Sequence, residues 1–145
     1  MEHFLATHFV TMNFFAYSRK RYFNEIYYEV ELNREVEDFI RNLTIELKGK
    51  KFWKRYARKG DQRLIRGLWH IQFGSTRDLP HAHIQLEKPV WCDECRFINA
   101  IHMVARRSRF SRNDASAVDV RRCDYSQSVN LKDEYVTRED RRSYW

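Results

Sequence analysis

Two stretches of this chain alternate apolar and polar residues with the period of two that a half-buried β-strand requires. In residues 68–73, Trp, Ile and Phe take one face and polar residues take the other. Residues 79–86 repeat the pattern, with Ala, Ile and Leu on one face. The residues between them, 74–78, read Gly-Ser-Thr-Arg-Asp, which is a composition typical of turns. The two stretches are therefore predicted to form an antiparallel hairpin with one apolar face.

The polar face of the predicted hairpin carries a concentration of imidazoles. His81 and His83 are two residues apart and would point to the same side as Gln85. If the loop closes symmetrically, Gln72 lies opposite His81 and His70 lies opposite His83, with Cβ atoms about 4.5–5.5 Å apart. Imidazole nitrogen is a common ligand of divalent transition metals. We therefore predict a metal site formed by the histidine pair with Gln72 or His70 as third ligand. The alternative is that the histidines are structural residues on a solvated face.

Outside the hairpin, the pattern predicts three helices and two further strands. Apolar residues at helical spacing indicate a helix with Asn33 as N-cap, and Gly49 is expected to end it. A second helix opens at Asp93 and closes in an arginine-rich segment. The predicted elements outside the hairpin are a strand at 5–15, a loop at 17–28, a helix at 33–48, a helix from 93 that closes in the segment 106–112, a strand at 116–123 and a helix at 131–140.

Composition adds a candidate partner. The 145 residues suit one domain, which we expect to span residues 1–145. Lys and Arg number 27 against 20 Asp and Glu, and the resulting charge of +7 favours a polyanion such as nucleic acid. Two basic segments could contact its phosphates, one of them interleaved with aromatic residues. The candidate nucleic-acid contacts are Lys50, Lys51, Lys54, Arg55, Arg58, Arg106, Arg107 and Arg109.

Other compositional features limit the possible classes of protein. No apolar run is long enough to span a membrane, and the N-terminus lacks the pattern of a secretory signal. Three cysteines without such a signal indicate reduced thiols and an intracellular location. The Cys92–Cys95 pair has CxxC spacing, but no second pair follows, so packing is the preferred interpretation.

Three short motifs, in order along the chain, resemble those of the HUH endonuclease superfamily. Residues 9–14 (Phe-Val-Thr-Met-Asn-Phe) resemble the first-strand motif of rolling-circle replication initiators. Residues 80–84 contain the His-hydrophobic-His pattern that gives the superfamily its name. Tyr135 and Arg138 resemble the Tyr-x-x-Lys motif of its single-tyrosine Rep members. The resemblance implies an α+β fold with a central antiparallel sheet of ferredoxin-like or RRM-like type, flanked by helices.

The resemblance also implies an activity, namely metal-dependent nicking and joining of single-stranded DNA at a replication origin or hairpin. His81 and His83 would hold Mn²⁺ or Mg²⁺, and Tyr135 would attack a DNA phosphate, leaving a 5′-phosphotyrosyl link and a free 3′-hydroxyl. The location would be the cytoplasm of a prokaryotic host or, for a eukaryotic virus, the nucleus. Tyr135 is preferred to Tyr125 and Tyr144 because only it has a predicted helix and a basic residue at i+3.

The chain departs from the family pattern at two positions. The family commonly supplies a carboxylate as third ligand, where this chain offers Gln72 or His70, and Gln72 is preferred because it faces His81 under the symmetric register. Arg138 replaces the usual Lys, and because arginine keeps its proton, a general-acid role there is not expected. Two other functions remain open at this point: a small single-tyrosine transposase of the same superfamily, and a non-catalytic nucleic-acid-binding module.

Overall fold

A computed structural model describes residues 4–14, 25–57, 64–73, 80–108, 118–123 and 142–144 of the chain. Its centre is a five-stranded sheet in the order β4-β1-β3-β2-β5. The strands are β1 (His8–Asn13), β2 (Arg66–Gln72), β3 (His81–Glu87), β4 (Val118–Arg122) and β5 (Arg142–Tyr144). All neighbouring pairs are antiparallel. The predicted α+β class, with an antiparallel sheet flanked by helices, is confirmed.

The hairpin of β2 and β3 has the register expected from symmetric loop closure. Gln72 pairs with His81, and His70 pairs with His83. On its other side β3 pairs with β1, where Thr11 lies opposite His83 and Asn13 lies opposite His81. The strand that carries both histidines is therefore hydrogen-bonded along both edges.

Three helices accompany the sheet in the described part of the chain, and they are α1 (Glu25–Lys48), α2 (Lys50–Tyr56) and α3 (Glu94–Arg106). The expected start of the first helix at Asn33 is wrong, since α1 begins more than two turns earlier. Tyr28 and Leu32 are buried and continue the apolar stripe of the helix towards its N-terminus. Asn33 lies inside the helix, where its Oδ1 accepts a hydrogen bond from the indole Nε1 of Trp69 at 3.0 Å.

The helix boundaries on either side of the hairpin follow local chemistry. Gly49 has φ +91°, a value that favours glycine, and it separates α1 from α2 as predicted. The sequence had not indicated a helix at 50–56. Asp93 caps α3 by accepting a hydrogen bond from the backbone N–H of Arg96 at 2.8 Å, as its position before the helix suggested.

The main core lies between the sheet and the helices α1 and α3. Its largest fully buried side chains include Trp69, Ile84 and Phe97. The opposite faces of β2 and β3 are buried as well, since five consecutive residues of each strand are buried. His70 and His83 are therefore buried, unlike the solvated face that the alternative interpretation of the histidines expects, whereas His81 and Gln72 at the strand ends are half-buried.

The strand β5 pairs with β2 at a place where the sequence predicted no element. The predicted helix at 131–140 lies outside the described residues. No helix within the described ranges is long and apolar enough to cross a membrane.

Candidate metal centre

Two imidazole nitrogens converge on one amide oxygen at the end of the β2–β3 hairpin. The Nε2 atom of His81 lies 3.2 Å from Oε1 of Gln72, and Nε2 of His83 lies 2.9 Å from the same oxygen. The convergence follows from the register, because Gln72 is directly opposite His81 and diagonal to His83. An amide oxygen can only accept, so both rings donate their Nε2–H to it.

The two N–O distances suit a divalent cation as well as they suit hydrogen bonds. Ligands that bind one ion at about 2.1 Å in adjacent octahedral positions are about 3 Å from each other. Both N–O distances fall near that value. The donor set of two imidazoles and one carbonyl-type oxygen is compatible with Mn²⁺, which accepts both nitrogen and oxygen ligands. Binding would require each neutral ring to carry its proton on Nδ1 instead of Nε2, which is a change of tautomer.

His83 is held neutral by its surroundings. Only 8% of the residue is exposed, and burial is the main reason that its pKa is lowered from 6.5 to about 3. Repulsion from His81 and then from His70 adds to the effect. A neutral ring is the form that binds a metal, so the burial that disfavours protonation leaves His83 ready to act as a ligand.

Ring orientation distinguishes the two candidates for third ligand. His81 and His83 are nearly perpendicular, at 89° with centroids 4.7 Å apart. The ring of His70 stacks on that of His83, with an interplanar angle of 27° and centroids 5.2 Å apart. The ring of Phe9 also stacks on His83, with an interplanar angle of 28° and centroids 5.6 Å apart. Because imidazole lone pairs lie in the ring plane, a stacked ring directs its nitrogens beside its neighbour and not towards a shared point. The geometry therefore favours Gln72 over His70, which is fully buried and supports the position of His83.

No carboxylate completes this group among the described residues, and no set of three or more His, Cys, Asp and Glu side chains there could hold a metal. The nearest described acidic residue on this face of the sheet is Asp119 on β4. It pairs with Thr11 on β1, which in turn pairs with His83, so Asp119 is two strands away from His83. Its Oδ2 is bound to Nε of Arg121 at 2.9 Å. A cation at the histidine pair would thus meet an amide oxygen where a negative ligand is usual.

The described basic residues predicted to contact DNA are not close to the histidine pair. Lys50, Lys51, Lys54 and Arg55 are exposed on α2. Arg106 and Arg107 lie at the C-terminal end of α3, in the helical layer that covers the other face of the sheet. Arg107 forms an ion pair with Glu46 at 3.2 Å. The remaining predicted site residues, Arg58, Arg109, Tyr135 and Arg138, lie outside the described residues.

A third buried imidazole, which no sequence pattern indicated, lies on the helical face of the sheet. His8 is 1% exposed, with Nε2 at 3.2 Å from Oε1 of Glu94 and Nδ1 at 2.9 Å from Oγ1 of Thr7. Burial lowers the pKa of His8, and the hydrogen bond with Glu94 opposes that shift. Cys92 is buried, and burial raises its pKa, which agrees with a packing role for Cys92, whereas Cys95 is exposed. The contact between His8 and Glu94 gave no sequence signal because the two residues are 86 positions apart.

Comparison with known proteins identifies no family for this chain. No protein-family model matches it, and no curated protein does. Among solved structures, it is similar to an uncharacterized conserved protein from Listeria innocua, with 16% identity and a TM-score of 0.31. The match covers 82% of this chain and 55% of that protein, so the chain spans about half the length of the structure it matches.

Proposed function

We propose that this chain is a metal-dependent endonuclease that nicks and joins single-stranded DNA to initiate rolling-circle replication. The observation that carries the proposal is the convergence of the Nε2 atoms of His81 and His83 on Oε1 of Gln72. The motif resemblance and the net charge of +7 support a DNA substrate. The enzyme would act where its host keeps DNA, in prokaryotic cytoplasm or in the nucleus.

In this proposal one group of residues binds the metal ion, and a tyrosine acts as the nucleophile. His81, His83 and Gln72 would hold Mn²⁺ or Mg²⁺, which when bound would polarise the scissile phosphate. The Tyr135 oxygen would attack phosphorus, forming a phosphotyrosyl bond as the bond to the 3′ oxygen breaks. The phenol proton would pass to the 3′ oxygen, giving a hydroxyl. Arg138 would bind the phosphate through its fixed positive charge. Because one ester replaces another, the step can be reversed to rejoin the strand.

The test is to incubate the protein with a pool of single-stranded and hairpin DNAs that carry a different fluorophore at each end. With Mn²⁺, the 3′-terminal label should become covalently attached to the protein, and the 5′-terminal label should be released on a shorter strand. Attachment should be lost with EDTA, in Tyr135→Phe and in His81→Ala. Tyr125→Phe and Tyr144→Phe serve as matched controls and should retain it.

Each outcome has a defined meaning. Loss of the adduct in a control tyrosine variant, with retention in Tyr135→Phe, would reassign the nucleophile. Salt-sensitive DNA binding without any adduct in Mn²⁺ or Mg²⁺ would reject the nuclease and support a non-catalytic binding module. Joining of a cut end to an unrelated strand would favour the transposase alternative.

A further inference from the structure

The short helix α2 and the loop after β3 form a basic and aromatic surface that the histidine site does not use. We call it the α2–Trp91 surface, and it consists of Lys50, Lys51, Phe52, Lys54, Arg55, Tyr56 and Trp91. None of the residues of α2 is buried, although α2 packs beside the end of α1. Most of this short helix is therefore presented to solvent rather than to the core.

The charge of this surface is concentrated, and no acidic residue in the described part of the chain forms an ion pair with it. No Asp or Glu occurs between Lys48 and Lys59 in the sequence. Within the described residues, no ion pair joins the four cations of α2 to a carboxylate. Arginines elsewhere are paired with acidic neighbours, as in Arg34–Glu31, Arg41–Asp38, Arg107–Glu46 and Arg121–Asp119. Such a patch is complementary to a polyanion.

Aromatic rings lie among these cations. Phe52 contacts the edge of Tyr56 at 4.8 Å between centroids and Trp91 at 6.0 Å. Nζ of Lys48 lies 4.7 Å from the centre of the Trp91 ring, and Arg55 lies over Tyr56 at 5.6 Å. Val90, beside Trp91, is fully exposed. Partly exposed rings between cations can stack on unpaired bases, which a duplex does not offer.

The surface is distant from the histidine pair. Trp91 follows the end of β3, whereas His81 begins it, and a strand of seven residues is about 20 Å long. We propose that the α2–Trp91 surface binds single-stranded nucleic acid independently of the metal site. Its cations would contact phosphates, and its rings would stack on bases. The proposal does not depend on the nicking reaction.

The test measures binding of the full chain to a fluorescent single strand of about 16 nucleotides, a length at the upper end of common single-strand sites. EDTA is present throughout, so the metal site makes no contribution. The logarithm of the association constant should fall less steeply with the logarithm of the salt concentration in Lys51→Gln/Lys54→Gln. The magnitude of the slope should decrease by about 1.4, because each lost phosphate contact removes about 0.7. The control Arg34→Gln/Arg41→Gln removes the same charge from α1 and should leave the slope unchanged.

Base stacking is tested with the unaltered protein, so folding of a variant is not at issue. An abasic strand of equal length should bind about tenfold more weakly, and a duplex should bind more weakly than the base-containing strand. RNA and DNA strands are compared to identify the sugar. Equal binding of the abasic strand, or an equal loss in the α1 control, would overturn the proposal. Binding to phosphatidylserine vesicles with none to any strand would also overturn it, since a membrane surface would then be the partner. A nicking assay that fails while these results hold would leave this proposal intact.

Discussion

Gln72 lies directly opposite His81 in the β2–β3 ladder, and its single Oε1 atom accepts hydrogen bonds from both His81 and His83. This places an uncharged oxygen where a metal site would gain most from a carboxylate. Gln72 is therefore the most informative residue to substitute, because Gln72→Glu replaces only the amide nitrogen by an oxygen and keeps the length of the side chain.

The substitution Gln72→Glu should increase affinity for Mn²⁺ by at least about tenfold, because it adds a negative ligand within reach of both imidazoles. His83→Ala should decrease the affinity by a similar factor or abolish binding. Isothermal titration with MnCl₂ measures both effects. His102→Ala, on α3 in the helical layer, is the control and should bind as the wild type does. Unchanged affinity in both Gln72→Glu and His83→Ala would show that the pair does not bind metal.

The buried ring of His83 should make the fold sensitive to mild acid. Its pKa is about 3 when folded and near 6.5 when unfolded, so below pH 6.5 the unfolded chain binds the extra proton. Stability from this group is therefore complete above pH 6.5 and decreases by up to about 1.4 kcal/mol per pH unit as the pH falls towards 3. Urea unfolding at several pH values measures this loss. His83→Gln keeps a donor for Gln72 and should have a shallower pH dependence; an identical dependence would contradict the assignment.

Gly67 on β2 packs closely against the side chain of Ile40 on α1. A Cβ atom at this position would lie 2.7 Å from Cδ1 of Ile40 and 3.1 Å from Cδ2 of Leu86. Gly67→Ala should therefore lower the free energy of unfolding by about 1–3 kcal/mol. Ile40→Val removes the closest atom, so the double variant should lose less than the sum of the two single losses. Additive losses in chemical denaturation would show that this contact is not the cause.

Asn33 should behave as a partner of Trp69 and not as a helix cap. Ser is as good as Asn at an N-cap, so a capping residue would tolerate Asn33→Ser. Inside α1 the same change removes the acceptor of a buried indole N–H and should cost about 1–3 kcal/mol. Thermal or urea unfolding measures the loss. In a Trp69→Phe background the change should cost much less, and an equal cost there would exclude the hydrogen bond as its origin.

The hairpin that positions the histidine site could be predicted from the sequence, whereas the start of α1 and the contacts between distant segments could not. Strict alternation and a short polar loop determine the pairing of Gln72 with His81, so that register could be read locally. The start of α1 could not, because the burial of Tyr28 that extends the helix depends on tertiary packing. The role of Asn33 could not be predicted either, because its hydrogen-bond partner Trp69 is 36 residues away in the sequence. The contact of Phe52 with Trp91 likewise joins segments that only the fold brings together.

The central position of β3 has a consequence for the mobility of the histidine pair. A strand with neighbours on both edges cannot separate by fraying, so its amide protons exchange with solvent only when the sheet opens as a whole. The edge strand β4, bonded on one side, can open at a smaller energetic cost. The imidazoles are thus attached to the most rigid backbone of the sheet, and any adjustment needed to admit an ion falls to side-chain rotation rather than to movement of the main chain.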